Sequence, residues 1–184
     1  MNAPVIIVLA EGFEETEAIG TADVLKRLGF PVQFAALDSL TVASSAGTRI
    51  LADLTLKEVD WNHAAALVLP GGLPGAFHLR DSQAVMDALH FMNRAGKVIA
   101  AICAAPIVLE RAGLTEGKTV TGYPGTNQNL PKLIYTGGRT ERCGNLVTGK
   151  GPGAVFEFGA RIAAALGAEP AQINAVLDGM FVLR

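Results

Sequence analysis

The chain has 184 residues, half of them hydrophobic and 17% charged, with 15 basic and 17 acidic side chains and a net charge of −2. A chain of this length and composition packs around one core and buries roughly 70% of its unfolded surface, so residues 1–184 are expected to form a single domain. No basic stretch is dense enough for a nucleic-acid surface. No apolar run approaches the roughly 18 residues of a membrane span, and MNAPVIIVLA lacks the positive flank of a signal peptide, so a cytoplasmic setting is expected.

The elements alternate along the chain. VIIVLA at 5–10 is a short run of the kind found in a strand covered on both faces. Residues 15–28 read as a helix with Ala18, Ala22 and Leu25 on one stripe and Gly29 as its stop. PVQFAAL at 31–37 is a second strand, and 40–54 holds short strands or a hairpin around Ala46 and Gly47. AALVLP at 65–70 is another buried strand, ending in Gly71 and Gly72. Asp81 or Ser82 caps a helix running to Ala95. KVIAAI at 97–102 is a strand and 105–112 a helix; 118–123 and 145–148 read as strands, 154–166 and 170–178 as helices. Strands alternating with helices predict an α/β fold, a doubly wound and mainly parallel sheet with helices on both faces. Ligands in such folds collect at the carboxyl ends of the strands, where this chain places Glu11 to Glu17, Gly71 with Gly72, and Cys103.

Cys103 stands where the strand at 97–102 gives way to a helix, with the small residues Ala101 and Ala105 two positions to either side. That spacing suits a nucleophile elbow, whose strained turn leaves no room for bulky flanks. Pro106 suits a first helical turn. A thiol facing a helix start is expected to favour thiolate, with a pKa as low as roughly 3.5–7.5. The N–H groups of Gly72 and Ala104 could form an oxyanion hole. The plainer alternative is a buried structural cysteine. The second cysteine, Cys143, lies in a polar stretch and forms no CxxC pair, so reduced thiols are expected. His63, His78 and His90 are scattered without zinc-type spacing, and no metal or cofactor is expected.

EGFEETEA carries Glu11, Glu14, Glu15 and Glu17. Acids in a first helical turn commonly serve the macrodipole. Glu17 shares a helical line with Thr21, Val24 and Leu28, and Glu15 shares one with Ala18, Ala22 and Leu25. A carboxyl on either line could be half-buried, with a raised pKa, and act as proton partner of the thiol. Periodicity does not choose between them.

The blocks LAEGFEETEA, DVLKRLG, LVLPGG, AAICAAP and GKGPGAVFEF, in this order over essentially the whole length, resemble the ThiJ/PfpI superfamily, in particular its parkinsonism-associated branch and bacterial relatives. The resemblance implies a flavodoxin-like sandwich and usually a homodimer. It implies that Cys103 is the oxidisable cysteine, Glu17 its protonated partner, and Gly72 and Ala104 the residues whose amides face the sulfur. Around them the pocket is expected to include Glu14, Arg27, Gly71, Tyr123, Gly151 and Pro152.

The departures bear on function. Many members of the branch carry a histidine where this chain has Tyr123, within Thr121, Gly122, Tyr123 and Pro124. Tyrosine donates a hydrogen bond but is a poor base near neutrality. Ala46 stands where the family tends to have an arginine of an anion pocket, while Arg27 matches the other basic member. Superfamily peptidases place a histidine directly after the cysteine, where Ala104 stands here. Glutamine amidotransferases need a later His-x-Glu pair, and no histidine follows His90. Two functions are carried forward. One is a cysteine enzyme acting on a small carbonyl substrate or glycated adduct, of glyoxalase or deglycase type. The other is a non-catalytic oxidation sensor or chaperone working through Cys103.

Overall fold

The apolar run at the start of the chain becomes β1 (Val5–Leu9), and its alternate side chains serve two separate cores. Val5, Ile7 and Leu9 pack on one face and Ile6 and Val8 on the other, the period-two consequence of a strand covered on both sides. The computed structural model describes residues 3–127 and 130–182. After β1 come α1 (Glu15–Arg27), β2 (Val32–Ala36), β3 (Thr41–Ala43), β4 (Arg49–Leu51), β5 (Leu54–Thr55) and β6 (Ala66–Leu69). There follow α2 (Gly75–Asp81), α3 (Gln83–Arg94), β7 (Val98–Ile102), α4 (Pro106–Arg111), β8 (Thr119–Val120) and α5 (Pro124–Asn127). The rest is β9 (Ile134–Tyr135), β10 (Thr140–Cys143), β11 (Leu146–Gly149), α6 (Val155–Ala165) and α7 (Pro170–Gly179).

The main sheet has seven strands in the order β10-β11-β7-β6-β1-β2-β5. Every pairing in it is parallel except β10 with β11. Residues of α1, α6 and α7 close the face that holds Val5 and Ile7, and residues of α2, α3 and α4 close the other. This is the doubly wound α/β sandwich the alternation predicts, in the flavodoxin-like form the family resemblance implies. The carboxyl ends of β1, β6, β7 and β11 therefore emerge side by side.

Several local expectations change. Of the two expected cap residues, Ser82 is the one that caps α3, its hydroxyl accepting from the Val85 N–H at 3.4 Å. Asp81 instead ends α2, a helix too short for its apolar period to register in the sequence. The strand expected over 118–123 shrinks to Thr119–Val120, paired with β9 in a small separate sheet. The edge strand β10 was not expected, because TERC, half exposed on the rim, has no apolar run to mark it. The segment 40–54 does fold back on itself, with β3 and β4 antiparallel about Gly47.

Candidate functional site

Directly after β7 the chain turns at Cys103 with φ of +61°. A non-glycine residue in that region carries strain of order 1–3 kcal/mol and persists only where its surroundings enforce it. Here they do. The Cys103 N–H donates to the Gly149 carbonyl of β11 at 2.9 Å, and its own carbonyl accepts from the Tyr123 N–H at 2.7 Å. The Asn127 side-chain amide donates to the same carbonyl at 2.7 Å. The flanking Ala101 and Ala105 are wholly buried, so larger side chains there would displace the packing that holds the turn.

Glu17 reaches the cysteine from α1. The helix starts where it does because the Glu14 carboxylate caps it, accepting from the Glu17 N–H at 2.7 Å. One turn into the helix, the Glu17 side chain points inward and is 1% exposed. Its Oε2 accepts from the Gly71 N–H at 2.8 Å, and the Gly71 carbonyl accepts from the Glu14 N–H at 2.9 Å. The turn after β6 is thus stitched to the turn after β1. Gly71 must be glycine for reasons of space. A Cβ there would lie 2.7 Å from the Cys103 Cβ, 2.8 Å from Glu17 Oε2 and 2.9 Å from the Ala104 nitrogen. Gly72, at φ of +88°, needs glycine for backbone reasons as well.

Burial governs the electrostatics. It pushes the Glu17 carboxyl from its ordinary 4.5 up to about 7, against the lowering effect of the Gly71 N–H and the Cys103 thiol. The other oxygen, Oε1, is buried without a hydrogen-bond partner, which also favours the neutral acid. Cys103 is pushed up to about 12, first by burial and then by the nearby Glu17 charge. The Ala104 and Gly72 N–H groups act on the thiol in the opposite direction, but they do not win. The expectation of a thiol ionised by its helix start is therefore corrected. The helix α4 is only six residues long, and desolvation outweighs the amides. Cys103 and Glu17 form a coupled pair: both are protonated below about pH 7, Glu17 ionises as pH rises through 7, and its charge then suppresses ionisation of the thiol.

Of the expected pocket residues, the structure gathers Glu14, Gly71 and Gly72 around Cys103 and Glu17. Tyr123 is 52% exposed and, with Gly151 and Pro152, lines a pocket of about 200 Å³. A Cβ on Gly151 would approach the Cys103 sulfur to 4.0 Å. Arg27 is not brought to this place within the chain. It lies ten residues along α1 from Glu17, about 15 Å of helix, and pairs with Asp23 at 2.9 Å on the surface. The choice left open between the two glutamates goes to Glu17; Glu15 sits at the Thr48 hydroxyl at 3.4 Å. The His78 and His90 rings bond the backbone carbonyls of Glu11 and Ala112, not the thiol. Among the described residues, no three His, Cys, Asp or Glu side chains gather as a metal site would need. No helix among them is long and apolar enough to cross a membrane.

Asn127, Lys150 and Arg139 also belong to this region and were not anticipated. Asn127 is fully buried at the end of α5, a four-residue helix too short for any periodicity to mark it. Lys150 sits inside the GKGPG block beside residues whose pattern drew attention to their backbone rather than to its charge.

Fold and site together define a flavodoxin-like α/β protein built around a half-buried cysteine and its buried carboxyl partner. The chain belongs to the DJ-1/PfpI family, whose family model matches residues 3–165. It is 38% identical to Protein dj-1beta of Drosophila melanogaster over 99% of this chain and 98% of that one. The crystal structure of Drosophila DJ-1beta matches with a TM-score of 0.94 and 37% identity, covering 100% of both chains. The glutathione-independent glyoxalase DJR-1.2 of Caenorhabditis elegans is 31% identical over 96% of this chain and 94% of its own. A structure of oxidized Toxoplasma gondii DJ-1 matches with a TM-score of 0.93 and 31% identity, covering 99% of this chain and 100% of that one.

Proposed function

We propose that the protein is a cofactor-independent, cysteine-dependent cytoplasmic catalyst acting on small reactive carbonyls or glycation adducts, of glyoxalase or deglycase type. The observation that carries this reading is Cys103 on its strained turn at φ of +61°, with the buried Glu17 carboxyl and the Ala104 nitrogen converging with it on Gly71. Kinship to a relative named as a glutathione-independent glyoxalase supports it. With a 1,2-dicarbonyl substrate, the thiol proton passes to Glu17 and the thiolate adds to the aldehyde carbon. The π electrons move to oxygen, which takes the proton back from Glu17 and leaves a hemithioacetal. Glu17 then carries the C–H proton, through an enediol, to the neighbouring carbonyl carbon. This gives the thioester of a 2-hydroxy acid. Water hydrolyses the thioester and restores the thiol, with no net redox change. The Gly72 and Ala104 amides stabilise negative charge where it develops.

A second reading, an oxidation sensor or chaperone, is favoured by Tyr123 standing where many members of the family carry a histidine. Peroxide would convert the Cys103 thiolate to sulfenic and then sulfinic acid beside Glu17, with binding rather than turnover as the readout. Methylglyoxal consumption by the wild type and by Cys103→Ser separates the two. Turnover lost in the variant is the expected result, and equal rates in both proteins would end the enzyme reading for this substrate class. The protein is also expected to pair with a second copy through α1 and the loops beside the site, where Ile19 and Leu51 are 46% and 73% exposed. Sedimentation at micromolar concentration showing only monomer would contradict this.

A further inference from the structure

The surroundings of Cys103 are electrically lopsided, and the sheet order makes them so. Strand β7, which delivers the cysteine, lies between β6 and β11. On the β6 and β1 side stand Glu14 and Glu17, tied to Gly71. On the β11 side the pocket of about 200 Å³ is lined by Lys150, Arg139 and Tyr123 and by no acidic side chain. Its Gly151 edge lies against the sulfur, since a Cβ there would come within 4.0 Å of Sγ. Arg139 is already engaged, bonded to both oxygens of Glu157. Lys150 is not. Its ammonium donates to the Gly137 carbonyl at 3.0 Å and has no carboxylate within ion-pair distance among the described residues.

We infer that the carbonyl compound this site takes carries an anionic group, a carboxylate or a phosphate, seated toward Lys150 while its carbonyl carbon meets Cys103. This rests on the reading of Cys103 as the reacting group and adds the class of its substrate. An ammonium with only a backbone acceptor, lining a small pocket, is an unsatisfied attraction for a negative charge. The acidic turn on the opposite side repels the same charge, so only one orientation of such a molecule satisfies both walls. A neutral dicarbonyl gains neither effect.

Alkylation tests this without requiring turnover. Cys103 is modified with anionic iodoacetate and with neutral iodoacetamide, and the two rate constants are followed by peptide mass. Their ratio removes any change in the intrinsic reactivity of the thiol. In the wild type, the iodoacetate-to-iodoacetamide ratio is expected to exceed that of 2-mercaptoethanol by about fivefold or more. Lys150→Gln, which keeps a donor for the Gly137 carbonyl, should bring it down to the 2-mercaptoethanol value, and Lys150→Arg should retain it. A wild-type ratio equal to that of 2-mercaptoethanol, or one unmoved by Lys150→Gln, overturns the inference. Inorganic phosphate and acetate are then compared as protectants of Cys103 against iodoacetate. Stronger protection by phosphate points to phosphorylated carbonyls and stronger protection by acetate to 2-oxo acids, while protection by neither also overturns it. A protein that consumes no methylglyoxal can pass this test, and one that consumes it can fail, so the two readings fall separately.

Discussion

Replacing Glu17 by glutamine tests the buried carboxyl through stability rather than activity. The amide has nearly the same shape, and its oxygen can still accept from the Gly71 N–H. What disappears is the proton equilibrium. In the fold, burial raises the Glu17 pKa to about 7, against 4.5 for the ordinary group. Between those values the folded protein holds a proton that the unfolded chain releases. The stability linked to this proton is complete below pH 4.5 and is lost as pH rises through 7, where a carboxylate must form inside the fold. A gap of this size corresponds to about 3 kcal/mol. Cys103 stays protonated over the same window, its own pKa being pushed up to about 12, and adds no slope of its own. Glu17→Gln lacks the dependence. Its stability relative to the wild type should therefore improve by about 3 kcal/mol from pH 4 to above pH 8, or about 6–12 °C in Tm for a chain of this length. Urea unfolding of both proteins at stepped pH measures it. Two profiles running parallel would refute the claim that Glu17 is buried with a raised pKa.

Four further outcomes follow from the same geometry. Gly71→Ala forces a methyl group between Cys103, Glu17 and the Ala104 nitrogen; about 1–3 kcal/mol of stability and most Cys103 alkylation should be lost, and normal alkylation at unchanged stability would place that turn elsewhere. Asn127→Ala leaves the Cys103 carbonyl only the Tyr123 N–H and should lower unfolding free energy by about 1 kcal/mol, measured by urea titration. Tyr123→Phe should cost tenfold or less in kcat/KM for methylglyoxal, about 1.4 kcal/mol, while Tyr123→His should raise turnover if a base is what the site lacks. In limited peroxide, peptide mapping should find Cys103 oxidised before Cys143, which lies at the end of the edge strand β10; the reverse order would remove Cys103 as the reactive thiol.

How much of this was legible in the sequence depended on what kind of force shaped each feature. Where packing dominates, the pattern was plain. The apolar runs at 5–10, 65–70 and 97–102 became β1, β6 and β7, because only buried strands tolerate such runs. The elbow was readable from Ala101 and Ala105, small residues being the residue-level trace of crowding. Polar and edge features left less behind. β10 carries TERC and lies at the rim of the sheet, where no apolar face is required. α2 is too short to show a period. Arg27 matched by position, yet a helix places its far end wherever its length dictates. The thiol was misjudged because a helix start is visible in a sequence, whereas the desolvation that opposes it depends on segments distant in the chain.

Control of the thiol by burial gives Glu17 an active part. A thiol made nucleophilic by its own turn would need no partner, and Glu17 would then be a passive neighbour. With burial in control, the thiol yields its proton only to a group close enough to accept it and similarly removed from water. Glu17 meets both conditions. It is 1% exposed and is raised to about 7, so near neutrality it can take a proton or give one. The two backbone amides that act on the thiol then make the thiolate form reachable within the pair instead of stable in isolation. This division of labour accounts for the strained backbone too. At φ of +61° the elbow holds the sulfur at the amides and the carboxyl together, and the paired hydrogen bonds on the Cys103 carbonyl from Tyr123 and Asn127 keep it from relaxing. Tyr123 thus contributes through its backbone N–H whatever its side chain does, which is why its ring can differ from the expected imidazole without the elbow being lost.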